Sequence, residues 1–95
     1  MKIFVDIDGT ICDQREDYRD AEPYIDVILR VNRLHDQGHH ITYWTARGGT
    51  SGKDWRYITE RQLQEWGCKY NELWVGNKPD FDIIVDDRAR TSYEI

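Results

Sequence analysis

Residues 2–13 read KIFVDIDGTICD, and the change of character at Asp6 decides the fold. Residues 2 to 7 are nearly continuous in apolar and β-branched types, the pattern of a strand covered on both faces. Asp6 and Asp8 then follow one another across a single residue, ahead of Gly9 and Thr10. Asp-Gly is ordinary turn chemistry, so a strand running into a turn is the plainest reading of this pair. That reading leaves a second acidic pair, Asp86 and Asp87, unexplained.

Three more runs have strand character: HHITYWTA (39–46), ELWVG (72–76) and FDIIVDD (81–87). Between the first two strands, EPYIDVILRVNRLHDQG (22–38) puts Pro23 at a first helical position and Gly38 just past the end. Its apolar residues Tyr24, Val27, Ile28, Val31 and Leu34 recur at helical spacing. Between the second and third strands, SGKDWRYITERQLQEWG (51–67) offers Ser51 and Asp54 as a capping-box-like start and Gly67 as a stop. Trp55, Ile58, Leu63 and Trp66 form its core stripe, and Trp44 and Trp74 are expected to pack likewise. The alternation predicts an α/β fold, a small parallel sheet of four or so strands with helices on its faces. The charged stretch at about 11–22 reads as a loop or small hairpin over the sheet edge, able to act as a flap.

The 95 residues make one domain, 1–95, near the size where buried surface only just offsets chain entropy. Apolar residues at 39% and aromatics at 13% suffice to close a core despite the charge content. A net charge of -5 argues against a broad grip on duplex nucleic acid, although Arg47, Lys53, Arg56 and Arg61 lie close together in sequence. No apolar stretch reaches signal-peptide or membrane length, and Cys12 and Cys68 need no disulfide, so a cytoplasmic chain with free thiols and no membrane partner is expected.

Ligands of parallel α/β sheets bind beyond the carboxyl ends of the strands, where Asp6, Asp8, Thr45, Asp86 and Asp87 all fall. Carboxylates on adjacent strands about 4.8 Å apart repel by roughly 3.5 kcal/mol at an effective dielectric near 20, so a cation is expected between them. Oxygen donors with few carboxylates suit Mg²⁺. An EF-hand is excluded, because Gly falls at the fourth position of the acidic run and the run follows a strand. The adjacent His39 and His40 face opposite sides of a strand and His35 closes a helix, which speaks against a transition-metal cluster.

DIDGT, TYWTAR, Lys78 and IVDD, in that order, resemble the haloacid dehalogenase (HAD) superfamily of Mg²⁺-dependent phosphatases along essentially the whole chain. FVDIDGTIC, TARGGTSGKDW, QLQEWGCKYNEL and NKPDFDIIVDDRA are similar to its small capsule-biosynthesis phosphatase group. The resemblance implies a Rossmann-like three-layer sandwich without a cap domain. It also implies Asp6 as the nucleophile that forms an aspartyl-phosphate and Asp8 as a general acid and base, carrying a proton near neutral pH and turned away from the metal. By the same resemblance, the Thr45 hydroxyl and the Ala46 N–H hold phosphoryl oxygens and Lys78 neutralises their charge. Mg²⁺ falls to Asp6, the backbone of Asp8, Asp87 directly and Asp86 through water.

Gly9, Thr10, Ala46, Arg47, Lys53 and Arg56 are the candidate substrate contacts, the last three on a loop that is otherwise a Gly-rich connector. The leading substrate is a sugar phosphate of polysaccharide synthesis. TAR with DDR is also similar to the phosphatase half of phage polynucleotide kinase, which makes a 3'-phosphorylated strand end or a nucleotide the alternative; a non-catalytic Mg²⁺-binding module is the third reading. A site without a cap suits a large phosphorylated end or enclosure by a neighbouring subunit in a homo-oligomer. The chain stops soon after the fourth strand, so the superfamily's frequent fifth strand is expected to be absent or truncated.

Overall fold

A computed structural model describes residues 1–48 and 54–76, together with the strand backbone at 83–85. Its elements are β1 (Lys2–Asp6), α1 (Ile25–Asp36), β2 (His40–Thr45), α2 (Arg56–Glu65), β3 (Glu72–Val75) and β4 (Ile83–Val85), with a short 3₁₀ turn at Tyr18–Asp20. The four strands form one sheet in the order β3-β2-β1-β4, and every pairing is parallel. The chain steps from β1 outward to β3, then crosses back to place β4 on the other side of β1. The strand order therefore reverses between β1 and β4, where open α/β sheets form their ligand crevice.

Right-handed crossovers carrying the chain twice in one direction put their helices on one face. The core agrees: Ile3, Val5, Ile7, Ile41, Tyr43 and Leu73 pack with Val27, Ile28 and Val31 of α1 and Leu63 of α2. Among the described residues both helices thus cover one face, where helices on both were expected. On the other face Phe4 and Thr42 are also buried, whereas Trp74, expected in the core, is 40% exposed because β3 is an edge strand.

α1 begins at Ile25, two residues after Pro23, with no side-chain cap; the Tyr24 N–H donates instead to the Ile11 carbonyl at 2.7 Å. It stops where the sequence predicts, at Gly38, whose φ of +97° is open to a residue without Cβ. α2 begins at Arg56, whose N–H donates to Asp54 Oδ1 at 3.0 Å; the Ser51 half of the expected box lies outside the described residues. Within the stretch read as a flap at about 11–22, residues 13–22 form a loop closed at its base. Asp13 N–H donates to the Glu22 carbonyl and Glu22 N–H to Asp13 Oδ1, at 3.0 and 2.9 Å. Both cysteines are free thiols, and among the described residues no helix is long and apolar enough to cross a membrane.

Candidate active site

β1 delivers Asp6 to the carboxyl edge of the sheet, level with Trp44 on β2. Strand alternation places it on the Phe4 side, away from Val5 and the helices. The chain then turns sharply: the Ile7 carbonyl accepts from the N–H groups of both Thr10 and Ile11, and Gly9, at φ +87°, donates its N–H to Cys12. This turn separates the two acids, because Asp8 leaves the strand line and reaches across to the end of β2 on the helix side.

Asp8 meets a fixed set of donors. Thr45 Oγ1 donates to Asp8 Oδ2 at 3.0 Å, while Arg47 donates through Nε to Oδ2 at 3.0 Å and through Nη2 to Oδ1 at 2.7 Å. Two parallel N–H bonds from a planar guanidinium to a carboxylate constitute the strong, orienting form of an ion pair. The Arg47 side chain is fully enclosed and that of Asp8 is 18% exposed. An enclosed guanidinium is tolerated only when its donors are satisfied. Here Nη1 donates to Thr59 Oγ1 at 3.2 Å and to Gln62 Oε1 at 2.5 Å, both on α2. The Tyr18 ring covers the guanidinium with its centroid 4.7 Å away, and Gln62 Nε2 donates to the Tyr18 carbonyl at 2.7 Å. Tyr18 in turn meets Trp55 edge to face at 5.0 Å.

Cys12 closes the other flank, its thiol donating over long contacts to Ile7 O at 3.6 Å and Asp8 Oδ1 at 3.7 Å. Burial first, and the Asp8 carboxylate second, push the thiol up to about 12, so it remains a neutral donor across the physiological range.

Of the residues expected to act, Asp8 and Thr45 come together, and Gly9 forms the turn that aims Asp8. Thr45, 1% exposed, donates its hydroxyl to Asp8 and accepts the Arg47 N–H at 3.2 Å. Arg47, at 2% exposure, is a buried partner of Asp8.

Arg56 lies apart, its Nε 2.8 Å from Glu60 and its Nη1 donating to the Leu73 carbonyl. It lines an open groove of about 420 Å³ along β3 with Tyr70, Asn71 and Trp74. Ala46 is exposed beside the network, and Thr10 is buried with its hydroxyl unpartnered among the described residues. Lys53, Lys78, Asp86 and Asp87 lie outside the described residues.

Tyr18, Thr59 and Gln62 escaped the sequence reading because a Thr and a Gln on a helix look like solvent-facing residues. The available signal was spacing: Thr59 and Gln62 fall four and seven residues after Trp55, on the same face of α2.

No protein-family model and no curated protein matches the chain. Among solved structures it is similar to a crystal structure of a Vibrio cholerae protein described only as an MCSG target, with 30% identity and a TM-score of 0.76. The match covers 98% of this chain and 85% of that one. The two belong to one family. What the two share is the α/β fold with its parallel sheet.

Asp6, at the carboxyl end of β1, offers an oxygen donor of the kind a hard cation takes. Among the described residues no group of three or more His, Cys, Asp or Glu gathers. β4 ends at Val85, the register partner of Val5, next to the strand that ends in Asp6. Asp86 and Asp87 are the next residues in sequence.

Proposed function

We propose that this chain is a Mg²⁺-dependent phosphomonoesterase of the HAD type. One observation carries the reading: Asp6 and Asp8 end β1 beside the point where the strand order reverses, and Asp8 is fixed there by Thr45 and Arg47. The HAD three-layer sandwich belongs to the same proposal, and burial of Phe4 and Thr42 on the face away from α1 and α2 supports a third layer.

An Asp6 carboxylate oxygen attacks phosphorus, the phosphorus–oxygen bond to the alcohol breaks, and Asp8 gives its proton to the departing oxygen. Water then attacks the phosphorus of the aspartyl-phosphate. Its proton goes to Asp8, and the phosphorus–oxygen bond to Asp6 breaks to restore the carboxylate and release phosphate. The proton that Asp8 gives to the departing alcohol is the one that the attacking water returns to it, so the cycle closes on the same residue. Asp6, the Asp8 backbone, Asp86 and Asp87 would hold Mg²⁺, which would supply charge neutralisation at the phosphoryl oxygens, and Lys78 would add to it.

The substrate class we favour is a sugar phosphate of polysaccharide synthesis in the cytoplasm, and its support is the sequence resemblance. The polynucleotide alternative drew on a basic cluster of Arg47, Lys53, Arg56 and Arg61. It loses weight because Arg47 is enclosed and Arg56 and Arg61 pair with Glu60 and Glu65.

The test is a panel of sugar phosphates, nucleotides and 3'-phosphorylated oligonucleotides with Mg²⁺ or EDTA. Release of phosphate from a sugar phosphate, abolished by EDTA, is expected. Preference for the oligonucleotide promotes the alternative, and no turnover on any member sinks the reading.

A further inference from the structure

We propose that Arg47 is a positioning residue that fixes the Asp8 carboxylate and couples it to the 13–22 loop and α2 without touching substrate; the proposal rests on the phosphatase reading. The guanidinium is enclosed, and its donors go to Asp8, Thr59 and Gln62. Nothing of it is left facing a ligand in this arrangement. Its two bonds to Asp8, with the Thr45 hydroxyl as a third point, leave the carboxylate little freedom to rotate. Gln62 is the joint: its oxygen accepts from Arg47 while its nitrogen donates to the Tyr18 carbonyl. Tyr18 sits in the middle of a loop closed at its base by Asp13 and Glu22, and its ring lies on the guanidinium. Displacing this loop uncovers Arg47 and takes a partner from Gln62, so loop position and Asp8 orientation are one arrangement.

The claim separates from a general loss of structure through the leaving group. Hydrolysis of an alkyl phosphate needs a proton delivered to the alkoxide, whereas p-nitrophenolate leaves without one. General acid catalysis is worth about 10²–10⁴-fold, and kcat/KM reports only the steps up to leaving-group departure, so misplacing the acid lowers kcat/KM for the first substrate selectively, while the later water attack is common to both.

The experiment measures kcat and KM for glycerol phosphate and p-nitrophenyl phosphate with Mg²⁺, in wild type, Arg47→Met, Arg47→Lys and Gln62→Met. Amide exchange at Asp20 and Ala21, whose N–H groups donate to Asp17 and Tyr18, reports the loop in the same proteins and in Tyr18→Leu. Arg47→Met is expected to lower kcat/KM for glycerol phosphate by about 10²-fold and for p-nitrophenyl phosphate by less than about 10-fold, with loop exchange faster. Arg47→Lys recovers part of the loss, and Gln62→Met and Tyr18→Leu quicken exchange.

Equal losses of kcat/KM on both substrates overturn the proposal, as does loop exchange unchanged in every variant. Should Arg47→Met fail to fold, Arg47→Lys and Gln62→Met carry the same comparison. If wild type hydrolyses neither substrate, the phosphatase reading fails, and the exchange measurements still decide the coupling by themselves.

Discussion

The two edges of the sheet handle charge in opposite ways. At the amino edge Lys69 pairs with Asp36 at 3.0 Å, both side chains being more than half exposed. Asn32 ties α1 to the segment after α2 by donating to the Gly67 carbonyl and accepting from the Lys69 N–H. These pairs are local and wet, and each can be lost without stranding a charge. At the carboxyl edge the Asp8–Arg47 pair is enclosed, and its burial depends on Thr45, Thr59, Gln62 and the Tyr18 ring together. Desolvating such a pair offsets most of its Coulomb attraction, so well-packed apolar residues would hold this edge at least as well. Charge kept there at that cost, at the crevice between β1 and β4, is what the proposed phosphatase would require of this edge.

The largest effect that sharpens this contrast is Asp6→Asn, expected to reduce phosphatase turnover by at least about 10³-fold while shifting the melting temperature little. Parallel assays and thermal melts check both halves. Next comes Arg47→Met, which strands the part-buried Asp8 carboxylate and is expected to lower stability by about 2–4 kcal/mol in urea titrations.

Alkaline pH attacks the same edge through Cys12. Its folded value of about 12 lies above the ordinary 9.0, so its contribution to stability is complete below pH 9 and is lost as pH rises toward 12. The unfolded thiol gives up its proton first, at about 1.4 kcal/mol per pH unit within that window. Cys68, pushed up to about 11 by burial, adds to the loss. Urea titrations from pH 8 to 11 should show the decline, and Cys12→Ala should make it shallower. The smallest effect is Lys69→Ala at the amino edge, expected within about 0.5 kcal/mol of wild type. A loss there as large as that of Arg47→Met would break the contrast between the edges.

Much of this arrangement is legible in the sequence, because period and punctuation are local signals. The apolar runs mark the strands, Gly38 and Gly67 mark where α1 and α2 end, and the acids on either side of Ile7 locate the crevice. The partners within the site were harder to read. Arg47 beside two glycines looks like a substrate-binding loop residue, and only the packing of α2 and the 13–22 loop against it shows that it is enclosed. The helix-on-one-face arrangement follows from strand order, which alternation of elements alone does not specify. Trp74 was misplaced for a related reason, since an edge strand leaves a large side chain half covered whatever its hydropathy.

The central claim, that Asp6 is the nucleophile of a phosphoryl transfer, is tested most directly by trapping the covalent species. A single turnover of a radiolabelled phosphate monoester with Mg²⁺, quenched in acid, should leave label on the protein that hydroxylamine removes, with none on Asp6→Asn. Phosphate released by wild type without protein-bound label at any quench time, or label of the same lability retained on Asp6→Asn, would contradict it.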